Sequence, residues 1–196
     1  MFTKLFAVAA LISATASSLS AQPARLPQVR LQTSAGPILI ELNARAAPIT
    51  TANFLAYVDE KRFDGTSFYR AAARKDGSGR GLVQGGIRHI IARARAPIAH
   101  EPTSKTGLRH IDGTISMARN KPGSAMGDFF VTIGPAPSLD ASPGNPGYAA
   151  FGRVVGGMDV LKRILALPTY PGGYSKQTMG QTIRDPVRII AARRIR

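Results

Sequence analysis

The chain contains no cysteine. Disulfide bridges and thiolate metal sites are therefore excluded, and stability has to come from packing alone. Acidic residues are scarce: 11 Asp and Glu stand against 26 Lys and Arg, giving a net charge of +15 and a pI near 11.2. Such a surplus invites a nucleic-acid reading, but there is no basic stripe interleaved with aromatics on which bases would stack. The arginines are scattered, with local groups at Arg88 to Arg95 and at Arg193, Arg194 and Arg196. No nucleic acid is expected as a partner, and the positive field favours electrostatic attraction to anionic envelope surfaces or acidic partners. A chain that did bind nucleic acid or an anionic surface would reveal itself by binding that weakens steeply with salt.

Past the first residues no stretch is long and apolar enough to span a membrane. Internal repeats and domain linkers are also lacking. Met1 to Ala21 has an early lysine, an apolar run from Leu5 to Ile12 and a small-residue ending, Leu19-Ser20-Ala21. That three-part pattern predicts a secretory signal peptide over residues 1–21, followed by one domain over residues 22–196 and export, to the periplasm in the first instance. A monomer is expected.

Metal and cofactor chemistry is not indicated. His89, His100 and His110 lack close-spaced ligand partners and are expected on the surface or in loops. Gly77-Ser78-Gly79 has no nucleophile-elbow context, and the run Gly77 to Gly81 lacks the Walker lysine-serine ending and a following helix.

What is present reads as short strands. Val29 to Gln32 and Pro37 to Leu42 flank a turn and predict an opening hairpin. Pro48 suits the first turn of a helix, and Ile49, Ala52, Leu55, Ala56 and Val58 recur at helical spacing, predicting a helix to Asp59. Ser67 to Arg70 predicts a short strand, Ala71 to Gly81 an exposed loop, and Leu82 to Gly86 a return to extended structure. Thr114 to Met117 and Phe129 to Ile133 are two strands separated by a long turn-rich loop, and loops of that size tend to be functional. Together with Phe68 to Gly86 they predict a groove with Phe130 at its floor. Tyr148 to Val155 is another strand, Gly156-Gly157 opens a second helix that Pro168 stops, and Pro186 to Ala191 is the last strand. Many strands, two helices and no βαβ alternation predict a closed antiparallel β-barrel with a helix at each end.

Five groups of residues, in this order, resemble the motifs of the cyclophilin-type peptidyl-prolyl cis-trans isomerases. They are Phe68-Tyr69-Arg70, Gln84-Gly85-Gly86, Gly113 to Ala118, Phe129-Phe130 and Phe151 to Met158. The resemblance spans nearly all of the chain after the leader. It implies a closed eight-stranded antiparallel β-barrel capped by two α-helices, and an enzyme that isomerises X-Pro bonds in proline-containing segments of unfolded or exported proteins. For single residues, it implies that Arg70 is the catalytic arginine and that Gln84 orients it and contacts substrate backbone. Phe130 becomes the floor of the proline pocket, Leu82 and Leu139 its apolar walls, and Tyr148 its rim. Ala118 and Arg119 match the positions whose backbone holds the residue before the proline.

Three departures stand against that pattern. An aromatic pocket wall is replaced by Gly81, the glutamine before the Phe-Phe pair is Asp128, and an aromatic before Leu139 is Ser138. Asp128 is expected to engage Arg70. The departures leave a second function open, a non-catalytic chaperone or scaffold that binds proline-containing segments.

Overall fold

A computed structural model describes residues 25–88, 90–173 and 175–195. The expected signal peptide over residues 1–21 and His89 lie outside the described residues.

The chain opens with the expected hairpin, β1 (Gln28–Thr33) and β2 (Gly36–Leu42), and continues into helix α1 (Pro48–Asp59). Then follow β3 (Ser67–Ala73), β4 (Gly81–Gly86), a one-turn helix α2 (Thr103–Thr106), β5 (Thr114–Met117) and β6 (Phe129–Ile133). Strand β7 (Ala149–Gly156), helix α3 (Met158–Leu165), the two-residue β8 (Thr169–Tyr170) and β9 (Thr182–Ile195) complete it. The strands pair antiparallel in the order β1-β2-β7-β5-β6-β4-β3-β9, and β9 returns to β1, closing a barrel of eight strands. Closure removes the unpaired edges that would otherwise template aggregation. The ninth strand, β8, is a short edge on β9.

Inside the barrel, alternate residues from neighbouring strands meet: Val29, Leu31, Ile38, Ile40, Val83, Ile115, Val131 and Ile189 are all fully buried. An aromatic cluster closes the end under α1, where Phe54 lies 5.0 Å from Phe63, 5.4 Å from Phe129 and 5.3 Å from Phe151, ring to ring. Helix α3 buries Val160, Leu161, Ile164 and Leu165 and turns Lys162 and Arg163 outward, as its 3.6-residue period requires.

Four expectations need correction. In α1 the expected stripe is buried only in its second half: Leu55 and Val58 pack inward with Phe54 and Tyr57, but Ile49 and Ala52 are exposed, and Thr50, Thr51 and Asn53 are buried. Two of these polar residues are satisfied by distant partners: Thr50 Oγ1 donates to Glu101 (2.7 Å) and Asn53 Nδ2 to the Met126 carbonyl (2.7 Å), whereas the buried Thr51 hydroxyl has no hydrogen-bond partner among the described residues. The exposed loop after Arg70 is shorter than expected, because Ala71 to Ala73 continue β3 in pairing with Gly81 to Val83. The last strand runs from Thr182 to Ile195, well beyond Pro186 to Ala191 on both sides. Pro186 sits inside it without breaking it, because Ile183 to Pro186 have no ladder partner on β3, so the missing N–H costs nothing. A third, four-residue helix joins the two foreseen.

Glu101 ties the fold across a long sequence separation. Helix α1 has no side-chain cap of its own at Ala47, and Glu101, 4% exposed, accepts from the backbone N–H groups of Ile49 (3.2 Å) and Thr50 (2.7 Å). A carboxylate at this end also complements the helix dipole.

Candidate active site

The site begins with a one-residue irregularity in β3. Phe68 pairs with Gly85 and Arg70 with Gln84, so Tyr69 is the extra residue of a β-bulge. In a regular strand Tyr69 and Arg70 would point to opposite faces. The bulge lets both leave the barrel on its outer side, while Phe68 before them and Ala71 after them stay in the core.

Register then lines the site up. Arg70 stands opposite Gln84, Gln84 opposite Phe130, and Phe130 opposite Ser116, one row across β3, β4, β6 and β5. Directly opposed residues share a face of the sheet. Phe130 is therefore set apart from the barrel core that holds Phe129 and Val131, and forms a second apolar layer outside it. Leu82, two residues before Gln84 and half-buried, shares that face.

The Arg70 side chain is held at two nitrogens: Nη1 donates to Gln84 Oε1 (2.8 Å) and Nε to Gln181 Oε1 (2.7 Å). Burial pulls its pKa below the ordinary value, against the opposing influence of Tyr69 and Tyr148. A guanidinium starts so far above neutrality that it remains a cation. Gln84 in turn donates through Nε2 to the Tyr69 hydroxyl (2.8 Å), and that hydroxyl donates to Asp128 Oδ1 (3.0 Å). Burial first, then the Asp128 charge and the hydrogen bond to it, raise the Tyr69 pKa, keeping the phenol protonated and a donor. The result is one directional chain from Arg70 through Gln84 and Tyr69 to Asp128. Asp128 thus reaches Arg70 through two intermediaries and not directly as expected, and its Oδ1 also accepts from the Arg88 backbone N–H (2.9 Å). Gly86 makes this approach feasible, since a Cβ there would lie 2.3 Å from the Gly127 carbonyl.

Phe130 is 4% exposed. Tyr148 meets it edge-on, with centroids 5.4 Å apart at 88°, and the Tyr148 backbone N–H donates to the Leu139 carbonyl (2.9 Å), placing those two side by side. The Arg119 guanidinium lies over the Tyr148 ring at 4.8 Å and bonds the Gly147 carbonyl. The Ala118 backbone N–H donates to the Asp128 carbonyl (2.9 Å). All nine residues singled out in the sequence, Arg70, Gln84, Leu82, Ala118, Arg119, Asp128, Phe130, Leu139 and Tyr148, therefore belong to one neighbourhood outside the barrel.

The family model for "Cyclophilin type peptidyl-prolyl cis-trans isomerase/CLD" matches residues 28–193. The chain belongs to this family. Among similar proteins, a peptidyl-prolyl cis-trans isomerase of Acinetobacter baylyi is 35% identical over 178 residues, 88% of each chain. Peptidyl-prolyl cis-trans isomerase A of Dickeya dadantii is 36% identical over 169 residues, 84% of this chain and 85% of its own. A Cryptosporidium parvum cyclophilin-type isomerase, whose crystal structure was determined in the presence of the dipeptide Ala-Pro, superposes with a TM-score of 0.68. That alignment covers 86% of this chain and 99% of the other at 22% identity, a likeness of fold.

Two features of this cyclophilin were not legible in its sequence. Gln181, the second anchor of Arg70, comes from a loop that carries no motif. His110 lies in a loop, one of the two places expected for it, but is not on the surface: it is 1% exposed and lies flat against Phe130. Its Nδ1 is 2.7 Å from Asp140 Oδ1 and its Nε2 3.0 Å from Ser116 Oγ. A carboxylate only accepts, so Nδ1 carries the proton and Nε2 accepts from the serine hydroxyl. The connectivity is that of a hydrolase triad, but Ser116 is 0% exposed and stands beside Phe130 in the cross-strand row, so the trio braces the apolar layer instead of attacking a substrate. Among the described residues, no group of three or more His, Asp or Glu could hold a metal ion.

Proposed function

We propose that this cyclophilin isomerises X-Pro bonds through Arg70, which donates a hydrogen bond to the prolyl nitrogen while the proline ring rests on Phe130. The observation that carries this reading is the row Arg70–Gln84–Phe130, which sets a fixed cation in line with an apolar ring. Rotation about the X-Pro bond breaks amide conjugation, against a barrier of about 18–20 kcal/mol for peptide bonds. In the twisted amide the nitrogen regains a lone pair and becomes an acceptor, so the arginine's donation is strongest in the transition state, which is the condition for catalysis. No covalent bond is exchanged, and the side chains named suffice for the step. Gln84 holds the guanidinium and offers its remaining amide capacity to substrate backbone. Leu82, Leu139 and Tyr148 bound the proline ring, while Ala118 and Arg119 carry the backbone that receives the residue before it.

The clients we propose are proline-containing segments of exported proteins, met after export of this chain itself. The support is the leader pattern of residues 1–21 and the strongly basic charge, suited to anionic envelope surfaces. Expression of the full chain in a bacterial host is expected to yield an envelope form beginning near Gln22 by mass spectrometry. An uncleaved cytosolic form would reject export.

The catalytic proposal is tested by NMR exchange between cis and trans peaks of a proline peptide, with wild type and Arg70→Ala compared. The variant is expected to lose about 10²–10³-fold in rate, by analogy with loss of an oxyanion-hole donor. Equal rates reject the arginine mechanism. Binding without exchange in the wild type would instead favour a proline-segment scaffold, the reading suggested by the changes at Gly81, Asp128 and Ser138.

A further inference from the structure

Gln84 accounts for only one edge of the Arg70 guanidinium. The other edge is met by Gln181, which lies just before β9 at the end of the loop that follows β8. Gln181 Oε1 accepts the Arg70 Nε–H at 2.7 Å. The orientation of this amide is determined at its far end, because Nε2 donates to the Gln177 carbonyl at 2.9 Å. A carbonyl takes only a donor, so the amide oxygen is the end left for the arginine.

The backbone of Gln181 is also tied down on both sides. Its carbonyl accepts from Ala71 N–H (2.9 Å), immediately after Arg70, and its own N–H donates to the Thr178 carbonyl (3.2 Å). Gln177 and Thr178 belong to the single 3-10 turn Lys176–Thr178, which Ser175 and Thr178 close with a capping box. The loop thus delivers one rigid acceptor to one nitrogen of the catalytic arginine.

A guanidinium held at a single nitrogen can still rotate about that hydrogen bond. Acceptors on Nε and Nη1 together fix its plane and leave the other three N–H groups for substrate. We infer that Gln181 is a positioning residue for the isomerase reaction: it sets the plane of the Arg70 guanidinium, and so the direction of the N–H that reaches the prolyl nitrogen. The inference rests on the assignment of Arg70 as donor.

The experiment uses the full chain and two substitutions. Gln181→Leu keeps the volume and removes the acceptor, whereas Gln181→Glu keeps an acceptor. Exchange spectroscopy on a proline peptide reads kcat and KM, and ¹⁵N spectroscopy of arginine side chains reads solvent exchange of the Arg70 Nε–H. In the wild type that proton is expected to be protected. Gln181→Leu is expected to lower kcat/KM about tenfold, the scale of one charge-assisted hydrogen bond, with the loss in kcat and not in KM. It should also remove the protection, and Gln181→Glu should restore both to within about threefold. A loop-pinning role alone would leave kcat and the Nε–H unchanged in a folded Gln181→Leu protein, and that result overturns the inference. Should Gln181→Leu fail to fold, the wild-type Nε–H decides: exchange at the free-solvent rate overturns it, slow exchange supports it. If Arg70→Ala is as active as wild type, the arginine assignment itself falls, and this inference with it; if Arg70→Ala is inactive while Gln181→Leu is fully active, only this inference falls.

Discussion

The imidazole of His110 lies flat against the ring of Phe130, with centroids 5.9 Å apart and planes 15° from parallel. The proposed floor of the proline site therefore rests on a titratable group. Burial lowers the His110 pKa, and the hydrogen bond and charge of Asp140 raise it by less, so the net shift is downward.

That shift makes stability depend on pH. A histidine whose folded pKa lies below its ordinary value of about 6.5 binds fewer protons folded than unfolded as pH falls through that range. Its contribution is complete above the unfolded pKa and is lost as pH falls toward the folded one. Urea midpoints measured from pH 7.5 to pH 5 are expected to fall in the wild type and to fall less in His110→Gln. Parallel pH profiles for the two proteins would show that His110 is not the group responsible.

Glu101 is the external cap of α1, and its removal should be costly. Glu101→Ala leaves the Ile49 and Thr50 N–H groups and the Thr50 hydroxyl without their acceptor in a buried setting. A loss of about 2–3 kcal/mol in unfolding free energy is expected, since hydrogen bonds to charged groups contribute about 1.5–3 kcal/mol each. Glu101→Gln keeps one acceptor oxygen and should fall between the two. Denaturant unfolding monitored by circular dichroism measures both. A Glu101→Ala protein as stable as wild type would show that α1 needs no partner at that end.

Gly81 stands where the sequence resemblance implies an aromatic pocket wall, yet that wall cannot be rebuilt at this position. A Cβ on Gly81 would lie 2.2 Å from the Ala72 carbonyl oxygen, a backbone atom with no freedom to withdraw. Gly81→Phe is expected to destabilise the β3–β4 pairing and to leave proline-peptide affinity no better than wild type. Tighter binding with unchanged stability, measured by chemical-shift titration and thermal unfolding, would refute this.

Local chemistry made much of the fold legible in advance. Pro48 at the first helical position, the turn between Thr33 and Gly36 and the 3.6-residue spacing of Leu161, Ile164 and Leu165 are each determined by near neighbours. They emerge where expected. The motif order from Phe68 to Met158 likewise indicated the family. What escaped depends on distant partners. The burial of Thr50 and Asn53 in α1 could not be read from periodicity because Glu101 and the Met126 carbonyl, far along the chain, are their partners. The ends of β9 escaped because strand length reflects what its neighbours offer, here β1 and β3.

Taken by itself, the amino-acid sequence determined the barrel, its antiparallel character, the excess of positive charge and the identities of Arg70, Gln84 and Phe130 as a group. Tertiary structure alone decided that Tyr69 is a bulge, that Asp128 is reached through Tyr69, that His110 lies against Phe130 and that Gln181 grips the arginine. The physical reason is range. Periodicity, capping and turn preferences act over a few residues, whereas hydrogen-bond partners 59 and 111 positions apart meet only after strand register has been settled.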